Sequence, residues 1–264
     1  MHPPFALAAV LLTLAGPAEA SDALAEARRL YNLAQYESAE RAARDAMRTS
    51  PDSARVVLGR VRLERYRQSA DAADLAEARL ALRTVDPRAL QPNERVELTI
   101  GLAEGLYLED RFGAAAELFE GTIDQSIALG PAAHERVLDW WASSLDRLAQ
   151  ARPVPERAPI YDRVIDRMER EIARDAGSTP AGYWLAAAAR GAGNLDRAWA
   201  AATAGWVRAP LAKDRGAALR ADLDRLVVQA IVPERAARLS TRDRAQTVTG
   251  MLSEWESFKA SWAR

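Results

Sequence analysis

The sequence predicts an all-α fold of antiparallel helix pairs, and two observations carry that prediction. Helix signals fill the 264 residues, whereas no alternating run of β-branched and aromatic residues extends beyond a few positions. One side-chain spacing also recurs three times, each time with a bulky residue followed by small or core residues three, seven and ten positions later. Prolines close two of these stretches, which is where a helix should end. We therefore expect helical hairpins along most of the chain.

The recurrent spacing occupies three stretches. Their members are Tyr36, Ala39, Ala43 and Ala46; Phe112, Ala115, Phe119 and Thr122; and Leu195, Ala198, Ala202 and Gly205. An alanine stands nine positions before each bulky residue, as Ala27, Ala103 and Ala186. Pro51 and Pro210 follow the first and third bulky residues by fifteen positions. Because small residues let two helices approach closely, each stretch indicates one helix–turn–helix unit.

This spacing resembles that of the tetratricopeptide repeat family, whose units of about 34 residues place small residues where two helices touch and a proline at the end. Residues 20–51, 96–127 and 179–210 carry the resemblance. The family's usual Trp at the start of the first helix is missing, so the resemblance rests on spacing. It implies a right-handed superhelical solenoid of about five antiparallel helix pairs, closed by C-terminal capping helices.

On this interpretation a repeat array covers residues 21–210, and residues 211–264 form amphipathic capping helices. The five units lie near 20–51, 52–87, 92–128, 131–177 and 179–210. The helices expected in the first four units are 22–34 and 36–49, 53–67 and 73–85, 92–109 and 112–128, and 132–150 and 159–176. In the fourth unit, Pro159 is expected in the first turn of its helix, after a connection stiffened by Pro153 and Pro155.

The C-terminal part is expected to contain two helices, each with one apolar face. Residues 214–231 place apolar side chains on one side, and Pro233 should then break the chain. Ser240 and Asp243 resemble a capping box that opens a last helix. The apolar stripe of that helix consists of Val248, Leu252, Trp255, Phe258 and Trp262. We expect this stripe to cover the end of the array, and the alternative is that it docks a partner helix or a membrane.

The amino terminus has the pattern of a signal peptide, residues 1–20. An apolar run from Phe5 to Leu14 precedes Gly16 and Pro17, and the triplet Ala18-Glu19-Ala20 has the small-x-small form of a cleavage site. The run is too short to span a bilayer, so we expect no membrane span after cleavage behind Ala20 and a periplasmic or secreted location. The alternative is a buried first helix. Since the chain contains no cysteine, neither a disulfide nor a lipid-anchoring cysteine is available.

Charge and residue inventory argue against two classes of function. The 36 Lys and Arg residues nearly balance the 37 Asp and Glu residues, so bulk charge does not favour nucleic acid as a partner. Beyond residue 20 the chain contains one histidine, His134, which we expect at the surface. Histidine-based triads and Cys/His zinc sites therefore have almost no residues to draw on. We expect no catalytic site, no metal site and no cofactor.

The resemblance also implies where a ligand would bind, because the first helix of each unit lines a concave groove in this family. The implied groove residues are Arg28, Tyr31, Asn32, Arg62, Arg65, Glu104, Tyr107, Tyr183 and Arg190. If the second unit keeps its register, Arg62 and Arg65 extend a positive patch beside Arg28. Such a groove indicates a polar, extended ligand. The expected function is a non-catalytic exported scaffold that binds a protein or an extended peptide.

The aromatic residues support a second hypothesis, in which a glycan-binding module or a carbohydrate-active enzyme uses aromatic rings to stack on sugars. This hypothesis requires that two or more of four aromatic residues share one open cleft with a carboxylate nearby. The four residues are Trp140, Tyr183, Trp184 and Trp206. Packing between wide helices is the alternative explanation of these side chains, although half-buried aromatics often anchor ligands.

Overall fold

The structure, a computed structural model, describes residues 17–239 and 243–262. These residues form α-helices with short 3₁₀ and π turns and contain no β-strand, so the all-α prediction is confirmed. The chain forms two compact units, which divide between Gly101 and Leu102. The predicted signal peptide lies outside the described residues except for positions 17–20, which begin the first helix. Its cleavage stays a prediction.

Unit 1 contains the first two predicted helix pairs. Its elements are α1 (Pro17–Asn32), α2 (Tyr36–Ala46), α3 (Pro51–Ser69), α4 (Ala72–Arg83), a 3₁₀ turn (Pro87–Ala89) and the start of α5 (Pro92–Leu108). Successive helices α1 to α4 contact one another in chain order, and α1 also contacts α3. Neighbours in sequence are therefore neighbours in space within this unit.

Small residues set the close approach of the helices in unit 1. Ala27 of α1 and Ala39 and Ala43 of α2 are fully buried, as expected for the contact between the two helices. At Gly59 of α3, an added Cβ would lie 2.5 Å from Cγ of Leu82 on α4. Only glycine allows that approach without a shift of the neighbouring side chain.

Unit 2 contains the remaining helices. They are α6 (Phe112–Glu120), α7 (Pro131–Gln150), α8 (Val154–Arg174), α9 (Thr179–Gly191), α10 (Leu195–Arg208), α11 (Ala217–Leu226), α12 (Val232–Leu239) and α13 (Arg244–Ser261). 3₁₀ turns occupy Gln125–Leu129 and Ala209–Leu211, and a π turn occupies Val227–Ile231. Helices α6 to α11 contact each other in chain order, and α7 also contacts α9, which also contacts α11.

One turn recurs two residues before each bulky residue of the repeated spacing. Ala34, Asp110 and Gly193 all adopt a positive φ, at 57°, 58° and 80°. In each case the next residue donates its backbone N–H to the carbonyl four residues before the turn residue, as Gln35 to Leu30, Arg111 to Leu106 and Asn194 to Ala189. This is the hydrogen-bond pattern of a left-handed helix C-cap. The spacing therefore identified three copies of the same backbone turn.

Two boundaries in the middle of the chain differ from the prediction. α6 ends at Glu120 rather than near residue 128, because the chain passes through Gly121 into turns and the hydroxyl of Thr122 donates to the carbonyl of Phe119. α8 begins at Val154 rather than at residue 159. Pro155 falls in its first turn, where a missing N–H costs nothing, whereas Pro159 lies inside the helix.

The prediction that Pro233 breaks the chain is wrong. The π turn at Val227–Ile231 widens the helix directly before α12, so Pro233 is the second residue of that helix and its missing N–H is tolerated there. In the predicted capping box, Ser240 lies outside the described residues. Asp243 precedes α13 and makes no capping hydrogen bond through its side chain.

None of the helices in the described ranges combines the length and the apolar character needed to cross a bilayer.

Candidate binding cleft

A cleft of about 650 Å³ opens in unit 2 between α7, α8, α9 and α12. Its polar lining residues are Asp146, Gln150, Arg157, Tyr161, Tyr183, Arg190, Glu234 and Arg238. Val154, Ala187 and Leu226 contribute apolar surface. A concave site of this size with several converging polar groups is the usual form of a small-ligand or peptide site.

Asp146 projects from α7 into the cleft and is held by two neutral donors. The hydroxyl of Tyr161 on α8 donates to Oδ1 at 2.8 Å, and the amide of Gln150, one helical turn later, donates to Oδ2 at 2.6 Å. Burial raises the pKa of Asp146, although the hydrogen bond from Tyr161 opposes that shift. The charges of Arg190 and Arg147 also oppose the shift, but among the described residues neither guanidinium forms a salt bridge with this carboxyl group.

A glycine permits Tyr161 to reach Asp146. A Cβ added at Gly191 of α9 would lie 2.3 Å from Cζ of Tyr161, so any other residue would displace the ring. Burial raises the pKa of Tyr161 strongly, and the hydrogen bond to Asp146 adds to this effect. Gly191 therefore supports the cleft by allowing the tyrosine to lie flat against α9.

α9 supplies an aromatic wall. The rings of Tyr183 and Trp184 meet edge to face with their centroids 5.3 Å apart. Trp184 is buried, and its indole N–H donates to Oδ1 of Asp139 at 2.8 Å. Tyr183 is half-buried, and burial raises its pKa. Of the two rings, Tyr183 is the one that offers more surface to a ligand.

Of the nine predicted groove residues, the structure brings Tyr183 and Arg190 together in this cleft. Glu104 and Tyr107 are placed elsewhere in unit 2. Glu104 is 1% exposed, so it does not face a ligand. The ring of Tyr107 packs edge-on against Trp140, with centroids 4.7 Å apart.

Arg28, Tyr31 and Asn32 line a cavity of about 10 Å³ in unit 1, together with Arg60 and Glu97. A cavity of this size holds a water molecule at most. Arg28 donates to Glu94 at 2.8 Å and to Glu97 at 3.2 Å, and Tyr31 is 4% exposed. These side chains are engaged inside the unit.

The predicted positive patch formed by Arg62 and Arg65 beside Arg28 is wrong. Both residues donate to Glu40, at 2.6 and 2.9 Å, and both contact Asp74. Arg60 instead lines the cavity together with Arg28, and its guanidinium lies 4.6 Å from the centre of the Tyr31 ring. Two positions along a helix correspond to a rotation of about 200°, which turns the side chain to the opposite face.

His134 is not at the surface as expected, since it is 3% exposed. Its Nδ1 lies 2.8 Å from Oγ of Ser126 and 3.1 Å from the carbonyl oxygen of Ile123, and its Nε2 lies 3.1 Å from Glu171. The hydroxyl of Ser126 donates to Ile123 at 2.6 Å. Ser126, His134 and Glu171 are each at most 3% exposed, so this polar group is closed to solvent and joins the segment before α7 to α7 and α8.

Of the four aromatic residues named by the second hypothesis, two line the cleft and two do not. Trp140 packs against Phe119 and Tyr107, and Trp206 packs against Trp255, so neither lines the cleft. Tyr183 and Trp184 do share it with Asp146 and Glu234. The arrangement that the hypothesis requires is therefore present for one aromatic pair.

Within the predicted apolar stripe of α13, Trp255 is fully buried. Its ring meets Trp199 and Trp206 with centroids 5.7 and 5.4 Å apart, and its indole N–H donates to Asp224 at 2.8 Å. Trp262 is 49% exposed. Trp255 in the middle of α13 and Trp262 directly after its end therefore have opposite environments.

Six polar lining residues of the cleft were not predicted from the sequence: Asp146, Gln150, Arg157, Tyr161, Glu234 and Arg238. Arg157 was placed in a connection and Glu234 after a chain break, because both helix starts were predicted too late or not at all. Within the described part of the chain, no group of three or more His, Cys, Asp or Glu side chains could hold a metal ion.

Comparison of the chain with protein-family models, curated proteins and solved structures finds no match. The geometry of the cleft is therefore the basis for a functional proposal.

Proposed function

We propose that the protein is a non-catalytic, exported binding protein that takes an extended peptide segment of a partner in the cleft of unit 2. The observation that carries this proposal is the cleft itself, whose volume of about 650 Å³ suits a few extended residues and not a folded domain. Its polar groups come from four helices, so a ligand would contact several fixed donors and acceptors at once.

The helical framework supports binding because it holds these groups in place before a ligand arrives. Tyr161 and Gln150 both donate to Asp146, and Arg190 donates to Glu234. Side chains that are already ordered lose little entropy when a ligand docks. Most of the conformational entropy lost on binding is then lost by the flexible peptide.

The tetratricopeptide-like solenoid of about five helix pairs over residues 21–210 is part of this proposal. The three identical turns before Tyr36, Phe112 and Leu195 support it, as does the chain-order packing of helices within each unit. The apolar run before Ala20 and the lack of cysteine support export. Mass spectrometry of protein expressed with its first twenty residues in a bacterial envelope would test the cleavage site.

The peptide-binding proposal can be tested by selecting peptides from a displayed library on the immobilised protein. Ala187 lines the cleft, so Ala187→Trp should fill it and abolish binding of the selected peptides. The matched control is Ala200→Trp on α10, where the side chain is exposed and outside the cleft. Equal loss of binding in both variants, or no loss in either, would reject the cleft as the binding site.

Glycan binding is a second candidate, since Tyr183 and Trp184 share the cleft with Asp146 and Glu234. In that case Tyr183→Ala should weaken retention on a glycan array, whereas Tyr183→Phe, which keeps the ring face for stacking, should retain it. If the protein binds selected peptides and no glycan on the array, the peptide-binding proposal is favoured over glycan binding.

A further inference from the structure

The cleft of unit 2 contains charges of both signs that remain without an ion pair among the described residues. Five charged side chains line it: Asp146, Arg157, Arg190, Glu234 and Arg238. Arg190 donates from Nε and Nη2 to one oxygen of Glu234, at 2.9 and 2.5 Å, and these two charges cancel. One carboxylate and two guanidinium groups are left for a ligand.

Asp146 provides the negative end. It is half-buried, and the two donors on its oxygens, from Tyr161 and Gln150, carry no charge. Each carboxylate oxygen can accept more than one hydrogen bond, so both retain capacity. A partly desolvated carboxylate gains more from a cationic partner than an exposed one does. An ammonium or guanidinium group of a ligand would supply that partner.

Arg157 and Arg238 provide the positive end. Arg238 donates to the carbonyl of Gly193 at 2.7 Å, and Arg157 donates to the carbonyls of Arg152 and Gln150 at 2.9 and 3.4 Å. These bonds orient both guanidinium groups and use only some of their five N–H donors. The remaining donors suit a carboxylate, which arginine binds with a planar fork.

The inference rests on the proposed function and specifies its ligand. We propose that the cleft selects a peptide segment that carries one basic and one acidic side chain, the basic group contacting Asp146 and the acidic group contacting Arg157 or Arg238. The apolar surface of Val154, Leu226 and Tyr183 then covers the aliphatic part of the segment. The ligand is recognised by a pair of opposite charges and not by net charge.

The test uses the full chain and short alanine-based peptides with blocked ends. Each peptide carries one Lys and one Glu, and the separation between them varies from one to four residues. Matched peptides replace Lys, Glu or both by Gln. Calorimetric titration should show that at least one doubly charged peptide binds about tenfold tighter than either singly charged form, since each charge-assisted hydrogen bond contributes more than a neutral one.

Variants of the protein test which of its side chains contact the basic group of the peptide and which contact the acidic group. Asp146→Asn keeps an acceptor for Tyr161 and should remove the preference for Lys over Gln while retaining the preference for Glu. The double variant Arg157→Gln and Arg238→Gln should do the reverse. Asp162→Asn and Arg225→Gln, which alter exposed charges outside the cleft, are the controls and should bind all peptides as the unaltered protein does.

The outcomes separate this inference from the function on which it rests. If peptides bind with affinities independent of their charges and Ala187→Trp still abolishes binding, the charge inference is overturned and peptide binding stands. The same holds if only Glu or only Lys affects affinity. If no peptide of this series or of the displayed library binds, both proposals are rejected.

Discussion

At the scale of single residues, His134 joins separate parts of unit 2 by polar contacts. It lies on α7, its Nδ1 contacts Ser126 and Ile123 before that helix, and its Nε2 contacts Glu171 on α8. Removing it takes one hydrogen-bond partner from Ser126 and one from Glu171, both of which are buried. His134→Ala should therefore lower the free energy of unfolding by about 2 kcal/mol or more.

Chemical denaturation measures this change, and Asp162→Ala on the exposed face of α8 is the control. That substitution should alter the free energy of unfolding by no more than about 0.5 kcal/mol. Equal small effects of both substitutions would mean that the polar contacts of His134 contribute nothing to stability.

Glu171 predicts a pH dependence of stability. Burial alone would raise its pKa, but hydrogen bonds from Arg174 and His134 and the charge of Arg167 hold it below its ordinary value of 4.5. Because the pKa is lower in the folded than in the unfolded chain, the stabilising contribution is complete above about pH 4.5 and is lost as the pH falls through the folded value. Between pH 6 and pH 3 the free energy of unfolding should fall more for the unaltered protein than for Glu171→Gln. A parallel decline in both would contradict the assignment.

The contacts of individual side chains were the feature that the sequence predicted least well. His134 was expected at the surface because its own neighbours in the chain are polar or small. Its contacts come from Ile123, Ser126 and Glu171, and no local periodicity encodes those distances. Tyr183 and Arg190 were predicted as groove residues, and both line the cleft because they lie on one face of a regular helix, α9.

At the scale of elements, the three left-handed turns allow a test of the repeat. Ala34 and Asp110 adopt a conformation that costs a side-chain-bearing residue about 1 kcal/mol, whereas Gly193 adopts it freely. Ala34→Gly and Asp110→Gly should therefore raise the free energy of unfolding, and Gly193→Ala should lower it, each by about 0.5 to 1 kcal/mol. Denaturant titration measures the sign, and a destabilising Ala34→Gly would mean that the turn at this position differs.

α13 offers a comparison between Trp255 within the helix and Trp262 directly after its end. Trp255 is fully buried against Trp199 and Trp206, so Trp255→Ala should lower the free energy of unfolding by about 3 to 5 kcal/mol. Trp262 is 49% exposed, and Trp262→Ala should change it by about 0.5 kcal/mol or less. This result would favour a capping role for the helix. Comparable small effects would instead favour a docking helix.

Helix starts followed from the sequence where small residues kept their regular spacing, as for α2 at Tyr36 and α6 at Phe112. They failed at prolines. Pro155 does not delay the start of α8, because the first turn needs no N–H from it, and α8 continues through Pro159 with the loss of one backbone hydrogen bond. Pro233 does not end the helical run, because a π turn precedes it. The sequence of a single chain contains no pattern that predicts a π turn.

At the scale of the molecule, the all-α class was predictable from composition and spacing. The cleft was not, since its lining comes from α7, α8, α9 and α12 together. Its position depends on the close contact of Tyr161 with Gly191 and on the unbroken run from α11 to α12. Both are packing facts that helical periodicity does not contain.

The central claim is that the peptide site lies in the cleft of unit 2. Hydrogen–deuterium exchange of the full chain with and without a selected peptide tests it most directly. We expect slower exchange in α8, α9 and α12 and in the turn at Gly193, and unchanged exchange in α2, α3 and α4. Protection confined to α2, α3 and α4, or none in the segments that line the cleft, would contradict the account.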